Sequence, residues 1–167
     1  GKIKGPFSAV VAGERVMLNL IQRMSGIATL TSRLVKNREN VEVRLLDTRK
    51  TTPGLRLFEK YAVAIGGGQN HRANLSSGIL IKENHIHDLL SVKKTVVLAR
   101  IKHPDKIIEV EANSINLAEQ IATLDIDSIL IDNMGPEEAN ETIQKIRKIK
   151  PNIFIEVSGG ISENNYQ

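Results

Sequence analysis

Five short runs of aliphatic and mostly β-branched residues recur along this chain, and they constrain its fold more than any other feature. They are residues 43–46, 79–81, 107–110, 129–131 and 153–157. Each run is nearly continuous in apolar residues, which is typical of a strand buried on both faces of a parallel sheet. The intervals between the runs are long enough to hold a helix each, so the pattern predicts alternating strands and helices.

The intervals do carry helical periodicity. A wide apolar face at helical spacing covers residues 14–36, and further helical patterns cover residues 55–65, 85–99, 114–124 and 136–149. Pro136 suits a first helical position, and Glu137 and Glu138 in the first turn complement the helix dipole. Strands that alternate with helices predict βα units and an α/β fold with a parallel sheet.

The length of the chain limits how this sheet can close. The pattern gives five βα units, and the fifth is cut short at residues 162–167. A closed barrel of eight units typically needs about 250 residues. We therefore expect either an open sheet or an incomplete parallel α/β barrel, in one domain that covers residues 1–167.

Composition excludes several classes of function. The formal net charge is only +4 and the basic residues are scattered, while the aromatic residues are three Phe and two Tyr. Such a chain offers little surface for stacking bases, so the sequence does not favour nucleic-acid binding. The mild basic excess fits a small anionic substrate.

The chain has no cysteine, which excludes disulfides and thiolate metal sites and favours a reducing compartment. No apolar run approaches the roughly 20 residues of a membrane span, and the N-terminal residues lack the layout of a signal peptide. We expect a cytoplasmic protein that does not enter a membrane.

Polar residues follow every apolar run, at the point where a parallel strand would end. In chain order they are Asp47, Thr48, Arg49 and Lys50; Lys82, Glu83, Asn84 and His85; Glu111; Asp132 and Asn133; and Ser158, Gly159 and Gly160. Because the carboxyl ends of parallel strands lie on one side of a sheet, we expect these groups to converge. One charged strand end is an ordinary solvated turn, whereas five in succession favour a shared polar site.

The residues of this site favour a phosphorylated, polyanionic ligand. Lysine and arginine bind carboxylates and phosphates, and the cationic or donor side chains available here are Arg49, Lys50, Arg72, Lys82 and His71. Taken alone, His71 and Arg72 fit an exposed loop better than a binding site.

Two further features fit the same ligand. Glu111 and Asp132 could hold Mg²⁺ or bond to sugar hydroxyls. Ser158, Gly159 and Gly160, ahead of an expected helix start, offer backbone N–H groups to a phosphate. His85 and His87 are spaced i and i+2, so they would not share a helix face and do not predict a metal pair.

Seven motifs appear in the order of a known family. They are ERVMLNLIQRMSGIAT (14–29), DTRKTTPGLR (47–56), GGGQNHR (66–72), LIKENHI (80–86), EVE (109–111), LIDNM (130–134) and EVSGGI (156–161). Together they resemble the catalytic domain of the quinolinate phosphoribosyltransferase family, over essentially the whole chain. The resemblance implies a barrel of the type II phosphoribosyltransferase kind, here incomplete with about five βα units.

The resemblance also implies a reaction and its residues. Quinolinate and phosphoribosyl pyrophosphate, with Mg²⁺, give nicotinate mononucleotide, pyrophosphate and CO₂ in NAD biosynthesis. The quinolinate carboxylates would contact Arg49, His71, Arg72 and Lys82, with Thr48 in the same turn as Arg49. The phosphoribosyl group and its metal would meet Lys50, Glu111 and Asp132, and Ser158, Gly159 and Gly160 would form a phosphate loop. Arg15 would reach the site of the neighbouring subunit in a homodimer.

The chain departs from the family in two respects. Ser77 stands where an acidic residue is usual. The N-terminal domain of the family and its last barrel strands are not recognisable, so we expect residues 1–167 to be part of a catalytic domain that alone has little activity. Two other functions stay open: a related enzyme for another small anion, and a non-catalytic module that binds a phosphorylated ligand.

Overall fold

The computed structural model describes residues 2–82 and 88–166. The chain forms two compact units that divide between Ala73 and Asn74. The first contains two long helices and the turns between and after them. The second contains a parallel sheet with its connecting helices. In the described residues, no helix has the length and apolar character needed to cross a bilayer.

The first unit is built on helices α1 (Phe7–Asn37) and α2 (Arg56–Ile65). Helix α1 begins seven residues before the predicted start at residue 14, because Pro6 supplies the first carbonyl, which accepts the N–H of Val10 at 3.0 Å. Helix α2 ends at the predicted residue. A methyl group at Gly66 would lie 2.6 Å from the backbone oxygen of Ala28, so glycine permits the close approach of the two helices.

The strand predicted at residues 43–46 does not form, and this prediction was wrong. A single parallel bridge between Leu46 and Gln69 is what the structure contains there. Asn40 organises a turn instead, because its backbone and side-chain oxygens accept the N–H groups of Val43 and Glu42 at 3.2 and 2.9 Å. Such local hydrogen bonds compete with a strand ladder.

Among its described residues, the second unit has four parallel strands in the order β1-β2-β3-β4, joined by helices. Its elements are β1 (Ile79–Ile81), α3 (Leu89–Lys102), β2 (Ile108–Ala112), α4 (Ile115–Ala122), β3 (Ser128–Asp132), α5 (Pro136–Ile149) and β4 (Phe154–Ser158). The predicted βα alternation is confirmed as an α/β fold with a parallel sheet.

Helix boundaries in this unit follow their capping residues. Helix α5 has the predicted bounds, with proline in its first turn. Helix α3 begins later than predicted, because Asp88 and Ser91 form a reciprocal capping box. The first part of that prediction, residues 85–87, lies outside the described residues. Ser114 caps α4 by accepting the N–H of Leu117 at 3.4 Å.

The two faces of this sheet differ in polarity. Apolar side chains of the strands and helices form one core cluster, in which Ile108, Val110, Ile129 and Ile131 are fully buried. The alternate positions of β2 carry Glu109 and Glu111 instead. The strands are therefore apolar mainly on the helix-covered face, and the expectation of two apolar faces was wrong for β2.

Candidate functional site

The strand register of the second unit places polar side chains at one edge of the sheet. Glu111 pairs with Leu130, and Asp132, two residues beyond Leu130, pairs with Ser158. Because side chains two residues apart share a face, Glu111, Asp132 and Ser158 lie on the polar face near the carboxyl ends of their strands. Lys82 directly follows β1 at the same end.

Lys82 and Glu111 form an ion pair across two neighbouring strands. The Lys82 Nζ lies 3.4 Å from Glu111 Oε2. The carboxylate is buried, with 8% of the side chain exposed, whereas the lysine side chain is 46% exposed. A nearly buried anion thus pairs with the ammonium group of a side chain that still reaches solvent and can meet a ligand.

Asp132 is oriented by both of its neighbours. Its Oδ1 accepts the hydroxyl of Ser158 at 2.6 Å, and its Oδ2 accepts the side-chain amide of Asn133 at 2.8 Å. The backbone N–H of Asn133 donates to the Ser158 oxygen at 2.9 Å. The ends of β3 and β4 are therefore locked together around one carboxylate.

Two glycines follow β4 in a conformation that other residues rarely adopt. Gly159 and Gly160 have φ values of +86° and +64°. A methyl group at Gly159 would lie 2.2 Å from Asn133 Oδ1, so this position excludes a side chain on space as well as on φ. Residues 161–166 form a turn organised by Ser162 and Asn165, and the helix start expected after Gly160 is not among them.

In the first unit, two segments run side by side. The bridge between Leu46 and Gln69 is parallel, and the Asp47 N–H donates to the Gln69 oxygen at 3.0 Å. Because both segments run in the same direction, Thr48 and Arg49 leave the bridge at the same end as His71 and Arg72. Two cationic dipeptides are thus brought together although they are more than 20 residues apart in sequence.

A buried ion pair joins these two segments. Lys60 of α2 binds Asp47, and the two side chains are 7% and 5% exposed. Asp47 Oδ1 also accepts the His71 N–H at 2.9 Å, and Lys60 Nζ donates to the His71 oxygen at 3.0 Å. When the side-chain amide of Asn70 is turned so that its nitrogen faces Asp47, this nitrogen donates to Asp47 Oδ2 at 2.7 Å.

The remainder of the DTRKTTPG segment is also held by side chains. Glu59 accepts the Thr52 N–H at 3.2 Å and the Arg23 Nε at 2.7 Å. Burial raises the pKa of Glu59, but the hydrogen bonds from Thr52 and Arg23 outweigh it and hold the pKa below its ordinary value. Thr48 Oγ1 accepts the Lys50 N–H at 3.1 Å.

The predicted site residues divide equally between the two units. In the first unit, Arg49, His71 and Arg72 are half-buried, whereas Arg15 on α1, Thr48 and Lys50 are exposed. The second unit holds Lys82, Glu111, Asp132, Ser158, Gly159 and Gly160. The polar residues predicted at Glu83, Asn84 and His85 lie outside the described residues.

Sequence reasoning missed four residues that hold the predicted site residues in place. They are Arg23, Arg56, Glu59 and Lys60, none of which was predicted to have a role. Asn133 was predicted only as one of the polar residues at the strand ends. One signal was available: Arg56 and Lys60 are spaced i and i+4, so two cations share one face of α2 next to the DTRKTTPG segment.

Comparisons with known proteins agree with the α/β fold. The sequence model of the family described as quinolinate phosphoribosyl transferase, C-terminal domain, matches residues 27–167. The chain is 44% identical over 163 residues to a probable nicotinate-nucleotide pyrophosphorylase (carboxylating) of Bacillus subtilis, covering 96% of this chain and 55% of the relative. It is 36% identical to the human nicotinate-nucleotide pyrophosphorylase (carboxylating), covering 98% and 56%.

Solved structures give the same result. The crystal structure of NadC from Streptococcus pyogenes matches with a TM-score of 0.83 at 44% identity, covering 95% of this chain and 55% of that one. The nicotinate-nucleotide pyrophosphorylase of Francisella tularensis matches with a TM-score of 0.83 at 39% identity. The chain spans about half the length of these relatives.

The parallel sheet with a polar carboxyl edge defines an α/β protein with the architecture of a ligand-binding enzyme domain. The chain belongs to the quinolinate phosphoribosyltransferase family, and the match is to the C-terminal domain of that family.

Proposed function

We propose that the protein transfers the phosphoribosyl group of phosphoribosyl pyrophosphate to quinolinate with decarboxylation. The products are nicotinate mononucleotide, pyrophosphate and CO₂. The observation that carries this proposal is the edge formed by Lys82, Glu111, Asp132 and Ser158, where a cation, two carboxylates and a glycine turn meet in a chain of this family.

The cationic side chains are proposed to bind the carboxylates of quinolinate. Arg49 and Arg72 leave the parallel bridge at the same end, and an arginine can bind a carboxylate through two parallel hydrogen bonds. His71 and Lys82 complete the proposed set, and Thr48 lies in the turn that carries Arg49. A dicarboxylate needs several cations, which favours quinolinate over a monocarboxylate.

The carboxylates, Lys50 and the glycine turn are proposed to bind the phosphoribosyl group. Positive charge develops at the anomeric carbon as pyrophosphate leaves, and the proposed role of Glu111 and Asp132 is to stabilise it. Gly159 and Gly160 leave the backbone of this turn open to a phosphate. Holding two anionic substrates together against their repulsion accounts for much of the remaining rate.

Mg²⁺ fits the donor chemistry of the same edge. Glu111 and Asp132 offer carboxylate oxygens, the ligands that Mg²⁺ prefers in proteins, and Asp132 is already oriented by Ser158 and Asn133. When bound, the ion would neutralise charge on the pyrophosphate leaving group. Lys50 is proposed to meet the phosphoribosyl group as a further cation.

We also propose that the sheet is part of a parallel α/β barrel of the type II phosphoribosyltransferase kind. The polar face of β2, opposite the helix-covered core, supports this, because a barrel would place Glu109 and Glu111 in its interior. A homodimer is proposed from Arg15, which is exposed on α1 and would serve the neighbouring site.

Turnover and binding together test the proposed reaction. With quinolinate, phosphoribosyl pyrophosphate and Mg²⁺, we expect a version of the protein extended by the family's N-terminal domain and last barrel strands to release pyrophosphate in a quinolinate-dependent way, and residues 1–167 alone to release little. A chelator should abolish the release. Quinolinate binding without any turnover under these conditions would favour the non-catalytic module instead. Turnover with another pyridine carboxylate and none with quinolinate would favour the related enzyme.

Subunit mixing tests the shared site. We expect Arg15→Ala and Lys50→Ala proteins to be inactive alone and to regain part of the activity when mixed, because a hybrid dimer holds one intact site. A mixture no more active than its components, with subunit exchange verified by mass, would contradict a shared site.

A further inference from the structure

We propose that Arg56 and Lys60 are positioning residues that set the separation of the two cationic segments, residues 47–49 and 71–73. These two side chains of α2 are called the α2 bracket below. The inference rests on the proposed function, because the segments matter as parts of a dicarboxylate site.

Lys60 contacts both segments from a buried position. Its Nζ binds the Asp47 carboxylate and donates to the His71 backbone oxygen at 3.0 Å. Asp47 in turn accepts the His71 N–H at 2.9 Å. Both polar backbone groups of His71 are therefore fixed by one ion pair, in a place where water is nearly excluded.

Arg56 repeats this arrangement one helical turn earlier. Its Nη2 donates to the Arg49 oxygen at 3.2 Å and its Nη1 to the Ala73 oxygen at 3.4 Å. Its Nε donates to Thr51 Oγ1 at 3.2 Å. Arg56 thus also contacts both segments, and it is bonded to the backbone of Arg49, a proposed quinolinate ligand.

The segments need this support because their backbones have little contact with each other. In the described part of the chain, they meet at the single bridge between Leu46 and Gln69. Beyond this bridge, the backbone that carries Arg49 and the backbone that carries Arg72 are irregular. No strand pairing among the described residues sets the distance between them. The α2 bracket fixes it together with the direct hydrogen bond between His71 and Asp47, since one helix face holds Asp47, Arg49, His71 and Ala73.

A ligand with two neighbouring carboxylates should depend on this separation. Quinolinate must meet cations from both segments at once, whereas a monocarboxylate such as nicotinate can be held by one segment. Loss of the α2 bracket should therefore weaken quinolinate binding more than nicotinate binding.

Titration calorimetry of Lys60→Met and Arg56→Met proteins tests the inference. We expect quinolinate affinity to fall about ten- to a hundredfold, the range for loss of a charged contact, with an unchanged number of sites. Nicotinate affinity should change by less than about threefold. A purely structural role would lower the folded fraction, and with it the number of sites, while leaving the affinity of the folded molecules unchanged.

Arg100→Met is the matched control. Arg100 binds Asp127 at 2.9 Å and donates to the backbone oxygens of Lys106 and Asp125, both at 3.2 Å. Like the two residues of the α2 bracket, Arg100 therefore holds neighbouring segments through a carboxylate and backbone oxygens. It does so at the amino ends of β2 and β3, opposite the polar edge. We expect unchanged quinolinate affinity in this variant.

The outcomes separate this inference from the proposed function. No quinolinate binding by the unchanged protein would overturn both. Binding by the unchanged protein with equal affinity in folded bracket variants, or a loss of sites alone, would overturn the inference and leave the function standing. If Lys60→Met does not fold, Arg56→Met decides, because Arg56 is only half-buried and removing it leaves no buried carboxylate unpaired.

Discussion

Glu111 and Asp132 extend from strands whose other face is packed under helices, whereas Arg49 and Arg72 lie on segments joined at a single bridge. In the second unit, backbone register decides which side chains meet. In the first unit, side chains from the neighbouring helix α2 determine which residues lie close together.

The buried residues of the two units differ in the same way. Fully buried positions of the second unit are almost all aliphatic. In the first unit the described buried residues include Thr31, Glu59 and Lys60, while Leu57 stays 82% exposed. An apolar core tolerates polar changes at its edge, whereas a set of polar contacts depends on each partner. We therefore expect substitutions in the apolar core of the second unit to act on stability, and substitutions of the polar contacts in the first unit to act on ligand geometry.

The largest expected effect is a core truncation in the second unit. Ile131→Ala should lower the free energy of unfolding by about 2–5 kcal/mol, because Ile131 is fully buried and a cavity would remain. The matched change in the first unit, Leu57→Ala, should be nearly neutral. Urea unfolding measures both. Equal losses would mean that the difference between the units is not real.

The carboxylates of the polar edge should affect catalysis more than binding. Glu111→Gln and Asp132→Asn should each lower turnover about a hundredfold, the usual range for one stabilising group, with a smaller change in quinolinate affinity. Steady-state kinetics and thermal melting on the same samples distinguish the alternatives. If melting falls and the turnover of the folded protein does not, the two carboxylates are structural.

The glycine turn should tolerate no side chain. Gly159→Ala should cost about 1–3 kcal/mol from the positive φ alone, and the contact with Asn133 adds to it. Gly26→Ala is the control in the first unit, since Gly26 lies inside α1 with open space around it, and it should stabilise by roughly 0.5–1 kcal/mol. A neutral Gly159→Ala would show that the turn is not fixed by Asn133.

The smallest expected effect is on the pH dependence of stability, to which one carboxylate in each unit, Glu59 and Asp127, contributes. The pKa of Glu59 lies below its ordinary value for the reasons given above. Burial raises the pKa of Asp127, but hydrogen bonds from Ile108 and Arg100 outweigh it and leave the pKa lowered. In both cases the unfolded chain takes up its proton first as the pH falls.

The stabilisation from these carboxylates is therefore complete above their ordinary values of 4.5 and 3.8, and it is lost as the pH drops through the lower folded-state values. Glu59→Gln and Asp127→Asn should each melt with less dependence on pH between pH 7 and 3 than the unchanged protein. Identical pH dependence would mean that neither carboxylate contributes to acid unfolding.

Sequence reasoning succeeded where a local pattern and the long-range packing agree. Residues 136–149 combine a proline start, an acidic first turn and helical periodicity, and α5 has these bounds. The runs that became β2 and β3 are apolar at the positions that the core buries. The pattern of apolar residues was enough to predict this α/β sheet.

Pattern failed where polar contacts decide the outcome. Residues 43–46 look like a strand, but the Asn40 turn precedes them and Leu46 alone finds a bridge partner. The contacts of Lys60 with Asp47 and His71 join residues 13 and 11 positions apart, and the hydrogen bond between Asp47 and His71 joins residues 24 positions apart. No local pattern reveals such contacts. The motifs predict which residues bind the substrates, and the structure adds the contacts that hold those residues in place.

The most direct test of the account is the affinity for quinolinate in proteins altered once in each unit. We predict that Arg72→Ala and Lys82→Ala each weaken quinolinate binding about ten- to a hundredfold, the range for one charge-assisted contact, while nicotinate binding changes less. Titration calorimetry of both ligands with the unchanged protein and the two variants gives the comparison. Quinolinate affinity that is unchanged in both variants would contradict the proposed site.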